Sequence, residues 1–135
     1  VPDIPVHTLI TMGAPLGFPV IVRKIRQELG LSRSGQSPLP TPPGIRSRWL
    51  NLADLDDTTC LNYDLHHTYG ANASGVKPQD QIVFNNYAYE GRPNPHKAYG
   101  YLRTTQVAEA LYHFLVLENA GWLERLQWVF RKPHF

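Results

Sequence analysis

The sequence predicts an α/β fold with parallel strands and flanking helices, and three observations support this class. Short apolar runs alternate with segments of helical periodicity along the 135 residues. The order reads strand, helix, strand, acidic loop, strand, histidine loop, helix. The 12 prolines and 10 glycines sit mostly in two loops rather than in a repeat. Strands that alternate with helices favour a parallel sheet with helices packed on its faces.

The first predicted strand and helix occupy the start of the chain. Val6–Gly13 is a β-branched apolar run that we expect to be a buried strand. Pro19 suits the first position of the helix that follows, and Gly30 suits its C-terminal stop. Charged and polar residues, Arg26 among them, fill the helix face opposite the apolar one. The apolar residues of this helix fall at helical spacing: Phe18, Ile21, Val22, Ile25 and Leu29.

Two further strands and a second helix complete the pattern. Arg46–Ala53 is the second predicted strand, and acidic residues follow it directly. Gln81–Asn86 is the third, and a loop rich in proline and glycine then leads to His96. Either Thr104 or Thr105 can cap the last long helix. The apolar stripe of that helix is Val107, Ala110, Leu111, Phe114 and Leu117, and we expect a break at Asn119–Gly121 before a last amphipathic turn or two.

Composition excludes several classes of protein. A net charge of +2 with no cluster of Lys and Arg among aromatics argues against nucleic acid as a partner. No apolar run approaches the length of a membrane span, and no signal peptide is visible. The single cysteine, Cys60, rules out an internal disulfide framework and leaves no zinc pattern. This cysteine usage fits a reducing compartment and slightly favours a cytoplasmic location.

The length and the first residues suggest one domain, residues 1–135, that is a part of a larger fold. The chain begins Val-Pro-Asp without an initiator Met, and strand-like sequence starts almost at once. A core of this size fits one domain.

Acids and a histidine follow two of the predicted strands. In open α/β sheets, functional residues gather in loops beyond the carboxyl ends of strands. If the two strands are parallel neighbours, the Asp residues after Ala53 and the imidazole of His96 lie at the same edge of the sheet. A carboxylate that accepts from Nδ1–H would fix the tautomer of the ring and leave Nε2 free to take a proton.

Three segments together resemble the α/β-hydrolase family, and lipase-like or esterase-like members in particular. TLITMGAPLGFP is similar to the strand and "GSPLG"-type turn that follow the nucleophile helix in that family. WLNLADLDDTTC resembles the family's acid loop, and VFNNYAYEGRPNPHKAYGYL resembles its histidine loop. The order of acid and then histidine also matches the family. The resemblance covers the chain from Thr8 to about Leu117.

The resemblance implies the C-terminal half of an α/β-hydrolase sheet, from a serine hydrolase acting on a carboxylic ester or related acyl bond. The family's catalytic histidine falls on His96, and its catalytic acid falls on Asp57. Asp54 is the second candidate for the acid, with a role in the turn as its alternative. The family has an apolar residue soon after the acid, whereas this chain has Thr58 and Thr59. No metal or organic cofactor is implied.

The nucleophile is the feature that departs from the family. A G-x-S-x-G elbow does not occur in the sequence, and in Gly13–Gly17 proline holds the central position. The resemblance places the elbow before Val1, so the Ser would come from a missing N-terminal half or from another chain. The alternative is a non-catalytic interaction or assembly module derived from the hydrolase fold. Serines in loop-like surroundings without the elbow pattern are Ser32, Ser34, Ser37, Ser47 and Ser74.

Other chemically capable residues have plainer interpretations. His66 and His67 could be metal ligands, but adjacent side chains project differently and no cysteine or acid is seen to frame them, so we expect polar surface. Cys60 near the acid loop is expected to be a small buried hydrophobe. Trp49 and Tyr99 are expected to pack in the core, or else to wall a substrate pocket. Three more are expected at the surface or a strand edge: Asp56, His7 and His113.

Overall fold

The computed structural model describes residues 4–32 and 37–118. In chain order its strands are β1 (Val6–Met12), β2 (Leu39–Pro40), β3 (Ile45–Ala53), β4 (Tyr69–Gly70), β5 (Pro78–Ile82), β6 (Ala88–Tyr89) and β7 (Arg92–Pro93). Its α-helices are α1 (Pro19–Glu28), α2 (Leu65–Thr68), α3 (Ala98–Leu102) and α4 (Thr105–Tyr112). A 3₁₀ turn covers Thr58–Cys60, and a π-helical segment, His113–Glu118, continues α4.

The main sheet is parallel and has the order β1-β3-β5. The central strand β3 aligns Leu50 with Ile10 of β1 and with Gln79 of β5. Two small pairs flank this sheet: β2 with β4, which is parallel, and β6 with β7, which is antiparallel. The predicted α/β class with a parallel sheet is therefore confirmed.

Helices cover both faces of the sheet because side chains of β3 point alternately to either side. On one face, Trp49 lies in a cluster against which α1 packs Val22 and Ile25. On the other face, Leu52 packs with Tyr101 of α3 and Val107 of α4. The remaining buried members are Leu39, Ile45, Leu65, Tyr69 and Val76 on the first face and Val83 on the second.

Helix α1 begins and ends where the sequence predicts. Pro19 is its first residue, and Gly30 follows its C-cap with a φ of +66°. The amide of Leu31 donates to the carbonyl of Arg26, a C-terminal closure that favours glycine in the left-handed conformation. The prediction for Arg26 itself was wrong: its side chain is buried, and its guanidinium donates to the carbonyl of Ser37.

Two strand predictions need correction. The third strand is Pro78–Ile82, so it begins three residues before the predicted Gln81–Asn86 and ends within it. Strand β1 lies where the sequence predicts, but its side chains are half-buried or exposed rather than buried. The reason is its position at the edge of the sheet, where among the described residues it pairs with β3 alone.

Only part of the predicted apolar stripe of the last helix is buried. Val107 and Ala110 are buried, whereas Leu111 and Leu117 are exposed. Tyr99, which the sequence analysis placed in the core, is also exposed, while Trp49 is buried as expected. The predicted break at Asn119–Gly121, the amphipathic turn after it and Ser34 lie outside the described residues. In the part of the chain that the structure describes, no helix is long and apolar enough to cross a membrane.

Candidate functional site

The loop after β3 buries a carboxylate by using it as a helix cap. Asp57 precedes the 3₁₀ turn Thr58–Cys60, and its Oδ1 accepts from the backbone amide of Thr59 at 3.0 Å. The hydroxyl of Thr59 donates to the same oxygen at 2.6 Å. Asp57 therefore satisfies an otherwise unpaired amide near the start of the turn. The amide and hydroxyl of Thr59 in turn fix the direction of the carboxylate.

Helix α3 supplies the second support of this carboxylate. The hydroxyl of Tyr101 donates to Asp57 Oδ2 at 2.9 Å and accepts from the amide of Asp54 at 3.1 Å. The Asp57 side chain is fully buried as a result. Gly13, the residue after β1, packs directly against the carboxylate, because a Cβ there would lie 2.5 Å from Asp57 Oδ2. The backbone of Gly13 also has a φ of +56°, which L side chains rarely adopt.

His96 lies against this buried carboxylate. Its Nδ1 is 3.2 Å from Asp57 Oδ2 and 2.8 Å from the hydroxyl oxygen of Thr59. A carboxylate can only accept, so both contacts are hydrogen bonds when Nδ1 carries the proton. The opposite nitrogen, Nε2, then faces away from the acid on a side chain that is 60% exposed. The arrangement fixes one ring nitrogen and leaves the other accessible.

Asn85 holds the histidine loop in place. Its amide group donates to the carbonyls of Pro95 and Lys97, the residues on either side of His96. Its carbonyl accepts from the amide of Tyr87 at 3.1 Å. Gly100 of α3 packs so closely on Asn85 that an added Cβ would overlap the Asn85 side chain. Asn85 therefore joins the end of the loop after β5 to the start of α3.

The charge of Asp57 is stabilised although it is buried. Burial alone would raise the pKa of Asp57, but hydrogen bonds from the hydroxyl and amide of Thr59, from Tyr101 and from His96 together hold the pKa below its ordinary value. A carboxylate that stays ionised near neutral pH can both orient an imidazole and stabilise its protonated form. The geometry thus allows general acid–base chemistry at Nε2 of His96.

The neighbouring acids have other roles in the structure. Asp54 is buried, and its two carboxylate oxygens accept from the amides of Asp56 and Asn85. It ties the loop after β3 to the loop after β5, which is the turn-bonding role expected as its alternative. Asp56 is exposed, as expected for a solvated acid. Of the three acids, the structure brings Asp57 together with His96.

Cys60 has no nucleophilic character in this setting. Its side chain is buried, and burial raises the pKa of the thiol above its ordinary value. Its Sγ lies 3.3 Å from the carbonyl oxygen of Asp57 and 3.4 Å from that of Asp54, distances suited to a weak S–H donor. The expectation of a small buried hydrophobe at Cys60 is confirmed. Burial also raises the pKa of Tyr101, so its hydroxyl keeps its proton.

A cavity of about 430 Å³ adjoins the histidine loop. It lies between the loops that follow β3 and β5, and its walls include Phe84, Tyr87, Pro93 and Pro95. Pro95 is the residue before His96. The walls are mostly apolar, so this cavity suits an apolar group held next to the histidine loop.

Asp57 and His96 were predicted from the sequence, but three residues that hold them were not. Thr59 could have been found from the Asp-x-Thr pattern, which is a local capping signal. Tyr101 and Asn85 carry no such local signal, because their contacts depend on how α3 docks against the sheet. Gly17, like Gly13, lies where the backbone packs closely, since an added Cβ at Gly17 would collide with the carbonyl oxygen of Asn62.

Similarity to known proteins does not decide what this site does. Comparison of the chain with protein-family models, with curated proteins and with solved structures gives no match. The chemistry of the site must therefore be inferred from the contacts of Asp57, Thr59, His96 and Tyr101 themselves.

Proposed function

We propose that this chain supplies the acid and the histidine of a serine hydrolase that acts on a carboxylic ester or a related acyl bond. The observation that carries the proposal is the contact of His96 Nδ1 with the buried, ionised carboxylate of Asp57 at 3.2 Å, reinforced by Thr59. In this role Asp57 orients the ring. His96 takes a proton from the nucleophile and then gives it to the leaving group.

The nucleophile in this proposal is a serine outside these 135 residues. The sequence holds no G-x-S-x-G elbow, and Pro15 occupies the central position of the only turn with the right glycine spacing. A histidine and an acid cannot carry out covalent acyl transfer without an activated nucleophile. The Ser would come from upstream sequence of the same polypeptide or from a partner chain.

The cavity that adjoins the histidine loop supports an ester with an apolar group. Phe84, Tyr87, Pro93 and Pro95 give it mostly apolar walls. Such walls bind hydrocarbon or aromatic groups through the hydrophobic effect. An apolar acyl or alcohol group is therefore the substrate part that we assign to it.

The test is to express the polypeptide with the coding sequence that flanks these residues and to treat it with a fluorophosphonate probe. We expect the probe to label a serine outside the 135 residues, and we expect turnover of p-nitrophenyl esters. His96→Ala should lower kcat/KM by about four orders of magnitude. His113→Ala, which removes a partly exposed histidine outside the site, should leave turnover unchanged. Near-normal turnover in His96→Ala, or labelling of a residue within this chain, would remove the proposed role.

A second candidate, an assembly module derived from the hydrolase fold, is favoured by the open edge of β1. Within the described ranges, β1 has a partner on one side only. An unpaired strand edge readily adds a strand from another chain. Under this candidate, the expressed polypeptide would form a stable complex with a partner, hydrolyse no ester, and bind equally well with His96→Ala.

A further inference from the structure

A second cluster of chemically capable side chains lies away from Asp57, at the start of α2. Asp64, His66 and His67 each direct a ligand atom to one place, and these atoms lie within 4.8 Å of one another. All three residues are exposed. From the sequence, no acid was expected to lie with the two histidines, but Asp64 lies beside both of them.

The local fold explains how two adjacent histidines converge. Asp64 is the residue before the first turn of α2, and His66 and His67 lie in that turn. A side chain at the capping position reaches over the first turn, so the carboxylate of Asp64 meets both imidazoles. The two rings lie with their centroids 3.8 Å apart. An Asp-x-His-His sequence at the start of a helix therefore gathers one carboxylate and two ring nitrogens.

Asp80 of β5 fixes this turn to the sheet. Its Oδ1 accepts from the amide of Leu65 and from the side chain of Asn51, and its Oδ2 accepts from the amide of His66. The same Oδ2 lies 3.0 Å from His66 Nδ1. Asp80 thus holds the backbone of His66 and lies beside Nδ1, the ring nitrogen that faces Asp64. Its carboxylate also adds a second negative charge beside the cluster.

The distances in the cluster match those of a four-coordinate ion. His66 Nδ1 lies 2.9 Å from Asp64 Oδ1, and His67 Nε2 lies 3.7 Å from Asp64 Oδ2. Ligands at Zn–N and Zn–O bond lengths in a tetrahedron stand about 3.3 Å apart. The two observed separations, which involve different oxygens of Asp64, bracket that value, and all three ligand atoms lie within 4.8 Å of one another, so rotation of these exposed side chains could bring them around one ion.

We propose that Asp64, His66 and His67 bind a divalent transition-metal ion of the Zn²⁺ type. Two imidazole nitrogens and a carboxylate oxygen are the donors that such an ion prefers, and the fourth position would hold water. Asp80 is a positioning residue, because it accepts from the backbone amides of Leu65 and His66 and so fixes the turn that carries the ligands, and because its charge compensates that of the ion. The competing interpretation is a cluster without metal, in which protonated imidazoles form ion pairs with the carboxylates. This proposal is independent of the hydrolase proposal.

The experiment is a calorimetric titration of the chain, prepared without a polyhistidine tag, with Zn²⁺. We expect saturable binding of one ion per chain. His67→Ala and Asp64→Asn should each weaken it at least ten-fold. Both side chains are more than half exposed, so these variants should fold, which circular dichroism checks. Co²⁺ bound in place of Zn²⁺ should show the intense visible absorption of a four-coordinate site.

His113→Ala is the matched control, because His113 is partly exposed and also contacts a carboxylate, that of Glu118 at 3.1 Å. Its removal should leave the Zn²⁺ affinity unchanged. The proposal is overturned by the absence of saturable binding at one ion per chain, or by equal affinity in His67→Ala. Loss of binding in His113→Ala with retention in Asp64→Asn would overturn it as well.

Discussion

Gly13 sets how closely β1 can approach the buried acid. Substitution by Ala would place a Cβ 2.5 Å from Asp57 Oδ2 and 3.1 Å from the Tyr101 hydroxyl. The positive φ of Gly13 adds about 1–2 kcal/mol for any residue with a Cβ. Displacing Asp57 or Tyr101 adds a further ~1–3 kcal/mol. We therefore expect Gly13→Ala to lower the free energy of unfolding by about 2–5 kcal/mol in a urea titration.

Gly30→Ala separates the backbone cost of a positive φ from the cost of displacing neighbouring side chains. Gly30 has a φ of +66°, and among the described residues no atom beyond its chain neighbours lies within 4 Å of the Cβ position. It should therefore show the backbone term alone, at about 1–2 kcal/mol. Equal losses in the two variants would mean that Gly13 does not determine the packing around Asp57.

Asp57 should make stability depend on pH in the acid range. Its pKa in the folded protein is below the ordinary value, so its hydrogen-bonded carboxylate stabilises the fold fully above the unfolded pKa of about 3.9. That contribution is lost as the pH falls through the folded-state pKa. We expect the difference in unfolding free energy between the wild type and Asp57→Asn to be about 1–3 kcal/mol at pH 7. Urea titrations should find it constant down to about pH 5 and smaller at pH 3.

Asp56→Asn is the control for this measurement, since its carboxylate lies on the same loop and is exposed. It should change the unfolding free energy by no more than about 0.5 kcal/mol at either pH. A difference for Asp57→Asn that grows as the pH falls would contradict the assignment of a stabilised carboxylate.

At the scale of single residues, the sequence could predict the acid and the histidine of the site but only some of the residues that hold them in place. Asp57 and His96 lie in the loops that follow predicted strands, where parallel strands bring loops together. The Asp57 carboxylate is also held by Tyr101, whose hydroxyl donates to it across 44 residues of sequence. No local pattern encodes such a contact, because it forms only when α3 packs on Leu52 and Val83.

At the scale of elements, Asn85 connects the loop after β5 to α3. Asn85→Ala removes the donors to the carbonyls of Pro95 and Lys97, at a cost of about 1–3 kcal/mol. We expect the segment around His96 to open more often, so hydrogen–deuterium exchange of its amides should accelerate. The exposed neighbour gives the control: Asn86→Ala should leave exchange in this segment unchanged. Unaltered exchange in Asn85→Ala would show that the loop is held by other contacts.

The strands show why one element was misplaced. Apolar periodicity located β1 and β3 well, but it put the third strand on Gln81–Asn86. The actual strand, Pro78–Ile82, is mostly polar and has little hydrophobic signal. It is fixed instead by its backbone ladder with β3 and by the hydrogen bond from Asn51 to Asp80 at 2.8 Å. Polar cross-strand pairs of this kind are invisible to a pattern of hydrophobicity.

At the scale of the whole molecule, the sheet has helices on two faces, but within the described ranges no strand lies beside β1 on its outer edge. β3 is central and carries most of the sheet's buried side chains, whereas no residue of β1 is fully buried. Ile10 and Met12 of β1 pack only partly against the second cluster. Additional strands beside β1 would bury these side chains, which is the arrangement that both proposed functions require.

Amide hydrogen exchange along β1 tests this open edge directly. The amide of Gly13 donates to the carbonyl of Leu52, so by strand alternation the amides of Leu9 and Thr11 also face β3. Those of Thr8, Ile10 and Met12 face the open side. In the isolated chain at low concentration, we expect slow exchange for the first set and fast exchange for the second, resolved by NMR. The slow set serves as the internal control for folding, because global unfolding would accelerate both. Uniform protection of β1 at low concentration would show that its outer edge is already paired, and it would remove the site at which either function needs a second strand.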